Sequence, residues 1–122
     1  MKTIVRIIFL ELLLLGLMAA ASAPAADPVG KWKFQAPTAP YEYQEGYFEI
    51  QKEGKELKGA FLGPENSKMA WEDLQKKGNT LTFGAYFEGE YVSFNLTFEE
   101  KAFKGEATYS EGTVELSGEK IE

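Results

Sequence analysis

The sequence predicts an all-β protein that folds as an eight-stranded antiparallel up-and-down β-barrel. Eight short segments alternate apolar and polar residues, as half-buried strands do. No stretch after residue 27 keeps a helical period for three turns. The short connections favour a meander, and closing it into a barrel, rather than splitting it into a sandwich, removes exposed edge strands. The segments are Gly30–Gln35, Gly46–Lys52, Leu57–Leu62, Met69–Gln75, Thr80–Phe87, Tyr91–Phe98, Phe103–Tyr109 and Thr113–Glu119.

Turn residues between these segments predict how the strands pair. If residues 88–89 form a two-residue loop, Phe83 faces Phe94 and apolar side chains meet on one side of the hairpin. A slip of one residue would move every side chain to the other face, so consistent pairing in several hairpins supports the strands themselves. Loops at 100–101, 111–112 and 53–54 predict the pairs Phe98 with Phe103, Tyr109 with Val114, Ala107 with Leu116, Ile50 with Leu57 and Phe48 with Gly59.

The hairpin before Thr80 does not fit a regular register. A loop at residues 77–78 would turn Glu72 into the core and Trp71 outward. A buried carboxylate without a partner is costly. We therefore favour a β-bulge near Asp73, which would turn Trp71 inward.

Residues 1–26 are expected to be a signal peptide. Lys2 and Arg6 precede an apolar run over 7–18, and small residues follow over 19–23. This order is typical of a secretory signal, and cleavage is favoured over an uncleaved anchor. The apolar run is shorter than the ~20 residues that span a bilayer, so we expect no membrane span after cleavage between residues 21 and 26. Residues 27–122 would then form a single domain of a secreted or periplasmic protein.

Composition excludes several classes of function. The chain has no His and no Cys, so it lacks Ser-His and Cys-His nucleophile pairs, thiolate metal sites and disulfides. Its formal net charge is −6, which is the wrong sign for nucleic-acid binding, and its one arginine is Arg6. Acidic pairs such as Glu88 with Glu90 lie in turns, where solvated carboxylates are expected. We predict no catalytic residues, no metal site and no cofactor.

The first predicted strand carries a family resemblance. Val29-Gly30-Lys31-Trp32-Lys33-Phe34 resembles the Gly-x-Trp opening of the calycin barrels, the lipocalins and streptavidin-like proteins. Residues 54–61 and 77–83 are similar to hairpins of short lipocalin-like domains in secreted Bacteroides-type bacterial proteins. The resemblance implies a barrel in which Trp32 helps to close one end. It does not carry biotin binding over, because the polar biotin-holding residues of streptavidin-like proteins have no counterparts in this chain.

The predicted interior is rich in aromatic rings, which allows two interpretations. The rings could fill an eight-stranded barrel by themselves, or they could leave an apolar pocket at the open end for one small ligand. In the second case the protein would be a carrier of a small apolar or amphipathic molecule. The candidate ligand-binding residues are Phe48, Trp71, Phe83, Phe94 and Tyr109.

The predicted outer surface offers a second hypothesis. Tyr86 and Tyr91 should lie opposite each other on the outer face, and the proline-containing loop 36–43 presents Tyr41 and Tyr43. Exposed tyrosines favour interfaces and sugar stacking, so these residues could bind a protein or glycan partner. The two tyrosines could equally be an ordinary cross-strand pair. The loop could instead be a flap over the barrel mouth, or only a stiff connection. The sequence leaves the oligomeric state open.

Overall fold

The predicted barrel is confirmed, with nine strands in place of eight. The computed structural model describes residues 27–122, so the expected signal peptide at 1–26 lies outside the described residues. In the described part of the chain, no helix has the length and apolarity needed to cross a membrane. The strands are β1 Gly30–Gln35, β2 Glu45–Glu53, β3 Glu56–Leu62, β4 Lys68–Ala70, β5 Glu72–Lys77, β6 Thr80–Phe87, β7 Glu90–Phe98, β8 Ala102–Tyr109 and β9 Gly112–Lys120.

All strand pairs are antiparallel, and the spatial order of the strands is β4-β3-β2-β1-β9-β8-β7-β6-β5. Pairing between β1 and β9 joins the two ends of the domain. The remaining pairs are between strands that follow each other in the chain. This is the up-and-down meander that short connections favour.

The additional strand arises where the chain bends at Trp71. One predicted strand is divided there into β4, which pairs with β3, and β5, which pairs with β6. The predicted bulge is confirmed, because the register shifts between Glu72 and Gln75 and Asp73 has a φ of 54°. The chain thus crosses from one sheet edge to the other. The barrel is nearly closed: β4 and β5 are the edge strands of the sheet, the chain itself joins them at Trp71, and no strand ladder pairs β3 with β5 among the described residues.

Two predicted hairpin registers are confirmed. Glu88 and Gly89 form the loop between β6 and β7 with φ values of 54° and 86°, and Phe83 faces Phe94. In the next hairpin Phe98 faces Phe103.

Three predicted loops are displaced along the chain. The loops lie at 54–55, 78–79 and 110–111, so Ile50 faces Gly59 and Ala107 faces Val114. Gly54 and Gly78 take the first loop position, with φ values of 65° and 60°, where a type II′ turn places glycine. In the 54–55 and 110–111 hairpins the pairing differs from the prediction by two residues, and since the side-chain period of a strand is two, the inward faces are as predicted.

Aromatic packing fills the end of the barrel near Pro28 and Lys120. Trp32 is fully buried and packs edge-on against Phe98 and Phe103, which flank the β7–β8 turn, with ring centroids 4.9 and 5.8 Å apart. Its indole N–H donates a 2.9 Å hydrogen bond to the Pro28 carbonyl. Trp32 therefore closes this end, as the Gly-x-Trp opening implies.

A column of parallel rings runs through the centre of the barrel. Trp71 stacks on Phe83 with centroids 3.6 Å apart, and Phe83 stacks on Phe94 at 4.8 Å. Gly59 makes this packing possible, because a Cβ at that position would overlap the Trp71 ring. The closed half of the barrel is therefore filled by side chains, and free volume is left at the other end.

Candidate functional site

A cavity of about 270 Å³ opens at the end of the barrel opposite Trp32. It lies beneath the loop between β1 and β2, beside the β6–β7 and β8–β9 turns. Its wall is mostly apolar, as in small-molecule sites, and its volume is just below the ~300–1,000 Å³ that such sites span. The lining residues are Phe34, Ala36, Ala39, Pro40, Tyr43, Phe61, Phe87, Glu88, Glu90, Val92, Phe94, Ala107, Tyr109, Val114 and Leu116.

The loop between β1 and β2, residues 36–44, folds over this cavity, and we call it the mouth loop. Hydrogen bonds within the loop hold its shape: the Ala36 N–H donates to the Gln44 carbonyl at 2.8 Å, and the Gln44 side-chain amide donates to the Ala39 carbonyl at 3.0 Å. Ala36 and Ala39 are buried against the core. The loop therefore covers the cavity with Ala36 and Ala39, while its other side faces solvent.

Tyr43 fixes the mouth loop to the β6–β7 turn. Its hydroxyl donates a 2.7 Å hydrogen bond to Oε2 of Glu88, and its ring packs edge-on against Phe87 with centroids 5.2 Å apart. The bond to the carboxylate raises the pKa of Tyr43 to about 12. Tyr43 is consequently a protonated donor at neutral pH.

Glu90 joins the β6–β7 turn to the β8–β9 turn. Its carboxylate accepts a 2.8 Å hydrogen bond from the Ser110 N–H, and the bonding with Ser110 lowers the pKa of Glu90 below its usual value. Glu88 and Glu90 thus place two carboxyl groups at the rim of a mostly apolar cavity. Of the described residues that line the cavity, none is a lysine.

The predicted ligand-binding residues are divided between the cavity and the core. Phe94 and Tyr109 line the cavity. Trp71 and Phe83 lie deeper in the ring column, with Phe48 packed against Trp71 at 5.1 Å. The structure therefore brings two of the five residues to the cavity wall, and Phe94 connects that wall to the column.

Several cavity residues were not identified as site residues from the sequence. Phe87, Val92 and Val114 are adjacent to turns at the same end of the barrel. That proximity is the signal that would have indicated them. Ala36 and Ala39 carry no such signal, because their positions depend on how the mouth loop folds back.

The outer tyrosines form the predicted cross-strand pair. Tyr86 and Tyr91 face each other, with ring centroids 5.0 Å apart and 53% and 39% of their surfaces exposed. Desolvation, followed by the nearby Asp73 carboxylate, raises the pKa of Tyr91. Tyr41 is also exposed, at 86%. Tyr43 belongs instead with the cavity.

One buried polar group lacks a partner among the described residues. The indole N–H of Trp71 is inaccessible to solvent and makes no hydrogen bond there. An unpaired buried donor costs about 1–3 kcal/mol. The stacked ring and close packing at Gly59 therefore hold Trp71 in place against this cost.

Comparisons with known proteins identify the fold. No protein-family model matches the chain, and no curated protein matches it. A redesigned β-barrel of known structure has a TM-score of 0.52 and 14% identity, covering 78% of this chain and 91% of that one. A variant of the fluorescent protein UnaG has a TM-score of 0.49 and 13% identity, covering 77% and 96% of the two chains. At such identity the likeness to the redesigned barrel shows a shared β-barrel fold, and function has to be argued from the cavity.

Proposed function

We propose that this protein is a non-catalytic, exported carrier that holds one small apolar or amphipathic molecule in the mouth cavity. The observation that carries the proposal is an apolar cavity of about 270 Å³ at one end of a barrel whose other end is filled. Burial of apolar ligand surface there would supply the binding free energy. The charged, apolar and small-residue order of residues 1–26 supports export.

The chemistry of the cavity wall supports binding rather than turnover. Its titratable groups are Tyr43, Tyr109, Glu88 and Glu90. Glu88 accepts a bond from Tyr43, and Glu90 accepts one from Ser110. These bonds join surface turns, so the carboxylates already have a structural role. The lining residues pair one hydroxyl with a carboxylate, Tyr43 with Glu88, and because this bond raises the pKa of Tyr43 to about 12, its phenol is not an activated nucleophile.

Filling the cavity tests the carrier function. Ala107 is buried on the cavity wall, and Ala107→Phe would occupy the space of a ligand. The matched control is Ala102→Phe, at an exposed position of the same strand. Val114→Phe serves as a second filling variant, because Val114 is only partly buried. Each protein is titrated with octan-1-ol and followed by the NMR shifts of the Val92 methyl groups.

We expect wild-type protein and Ala102→Phe to show saturable shifts and the filled variants to show none. A filled variant counts only if its amide spectrum is that of a folded barrel. Wild-type protein whose methyl shifts do not move with octan-1-ol would contradict the carrier function.

The exposed Tyr86–Tyr91 pair favours a second candidate, an interaction module for a protein or glycan. Aromatic pairs of this kind stack on sugars and enrich interfaces. Titration with a soluble oligosaccharide such as maltohexaose distinguishes the two. Shifts confined to the outer faces of β6 and β7, lost in Tyr86→Ser/Tyr91→Ser, would favour the module. Shifts confined to the cavity with octan-1-ol would favour the carrier.

A further inference from the structure

We propose that the molecule held in the mouth cavity is an amphipathic amine, with an apolar body inside the barrel and an ammonium group at the rim beside Glu88 and Glu90. This inference rests on the carrier function proposed above and specifies the chemical class of its ligand. A preference for an amine distinguishes this cavity from one that would bind a fatty acid or another anion.

The charges at the rim have one sign. Glu88 and Glu90 are the charged residues that line the cavity; Glu88 lies in the β6–β7 turn, and Glu90 is the first residue of β7. A carboxylate head group held at this rim would be repelled by both side chains, and an ammonium group would be attracted. Because Glu88 is exposed and Glu90 only partly buried, both interactions are screened by salt.

No cation of the described chain already satisfies these carboxylates. The ion pairs within residues 27–122 join Lys31 to Glu122, Lys58 to Glu56 and Lys68 to Glu49. The bonds that Glu88 and Glu90 do make come from neutral donors, the Tyr43 hydroxyl and the Ser110 N–H. A carboxylate can accept about four hydrogen bonds, so both retain capacity for a further donor.

Aromatic rings near the rim supply a second attraction for a cation. Tyr43, Phe87 and Tyr109 line the cavity together with the two carboxylates. The faces of such rings carry negative charge density, and a cation held over them gains about 0.5–2 kcal/mol. Rings and carboxylates at one mouth are the combination that binds alkylammonium groups. The small volume of the cavity restricts the apolar body to a short chain or a single ring.

A matched series of ligands tests the charge preference apart from the carrier function. Octan-1-ol, octylammonium and octanoate have the same chain and differ in the charge of the head group. Their dissociation constants are measured by NMR at pH 7 for wild-type protein and for Glu88→Gln/Glu90→Gln. The matched control is Glu106→Gln/Glu115→Gln, which removes two carboxylates that face each other on the outside of β8 and β9.

We expect wild-type protein to bind octylammonium at least about tenfold more tightly than octanoate, and added salt to reduce that ratio. The rim variant should lower the ratio to about one, and the control variant should keep the wild-type ratio. If octan-1-ol binds and octanoate binds as well as octylammonium, the amine inference is wrong and the carrier function stands. If octan-1-ol does not bind to wild-type protein, the carrier function is contradicted, and the amine inference that rests on it is contradicted as well.

Discussion

The Tyr43 hydroxyl lies 2.7 Å from the Glu88 carboxylate, across 45 residues of chain. This contact joins the mouth loop to the β6–β7 turn, so it helps to hold the loop over the cavity. Both residues also line the cavity. The two residues that hold the mouth loop in place are therefore also part of the surface that would contact a ligand.

Removing the Tyr43 hydroxyl should loosen the mouth loop without changing the barrel. Tyr43→Phe keeps the ring contact with Phe87 and deletes the bond to Glu88, which we expect to contribute about 1 kcal/mol. Hydrogen exchange at the Ala39 and Gln44 amides should become faster, with little change in β7. The control is Tyr41→Phe, since Tyr41 is exposed. Equal exchange in Tyr43→Phe and wild-type protein would contradict this role.

Alkaline pH should weaken the same contact. The hydrogen bond to Glu88 raises the pKa of Tyr43 to about 12 in the folded protein, whereas the pKa of an unfolded tyrosine is about 10. Because the folded pKa is the higher one, the contribution of Tyr43 to stability is complete below about pH 10 and is lost as the pH rises through about 12. The free energy of unfolding, measured with urea, should fall more steeply with pH in wild-type protein than in Tyr43→Phe. Parallel curves would rule this out.

The two tryptophans should differ in their tolerance of phenylalanine. Trp32→Phe leaves the Pro28 carbonyl without its indole donor, whereas Trp71→Phe removes a donor that has no partner among the described residues. Both changes delete a similar volume. We expect Trp32→Phe to lower the free energy of unfolding by about 1 kcal/mol more than Trp71→Phe does. Chemical denaturation measures both, and the reverse order would contradict the assignment.

Gly59 should not accept a side chain while Trp71 is present. A Cβ at Gly59 would overlap the Trp71 ring, so Gly59→Ala should cost about 1–3 kcal/mol of stability. In a Trp71→Leu background the same change should cost much less, because the overlapping ring atoms are gone. Denaturation of the four proteins gives the coupling free energy. Additive effects would show that the two positions are independent.

Strand patterns and turn residues determined most of the fold from the sequence. Alternation in β6 and β7 predicts both strands and their register, because apolar pairs such as Phe83 with Phe94 lose burial if either strand slips. The cost of burying Glu72 predicts the bulge at Asp73. The division of one predicted strand at Trp71 was not predicted, because alternation does not show that its two halves pair with different neighbours.

The sequence by itself determined the class of fold, the inward faces and the acidic character of the chain, since these depend on local alternation and on composition. Only the tertiary structure decided that Tyr43 turns into the cavity, that Phe48 and Trp71 are packed in the core, and that Glu88 and Glu90 share a rim. The physical reason is that free volume is what remains after distant side chains have packed. It depends on which strand ends meet and on how the mouth loop folds back, and neither is encoded in the period of any single strand.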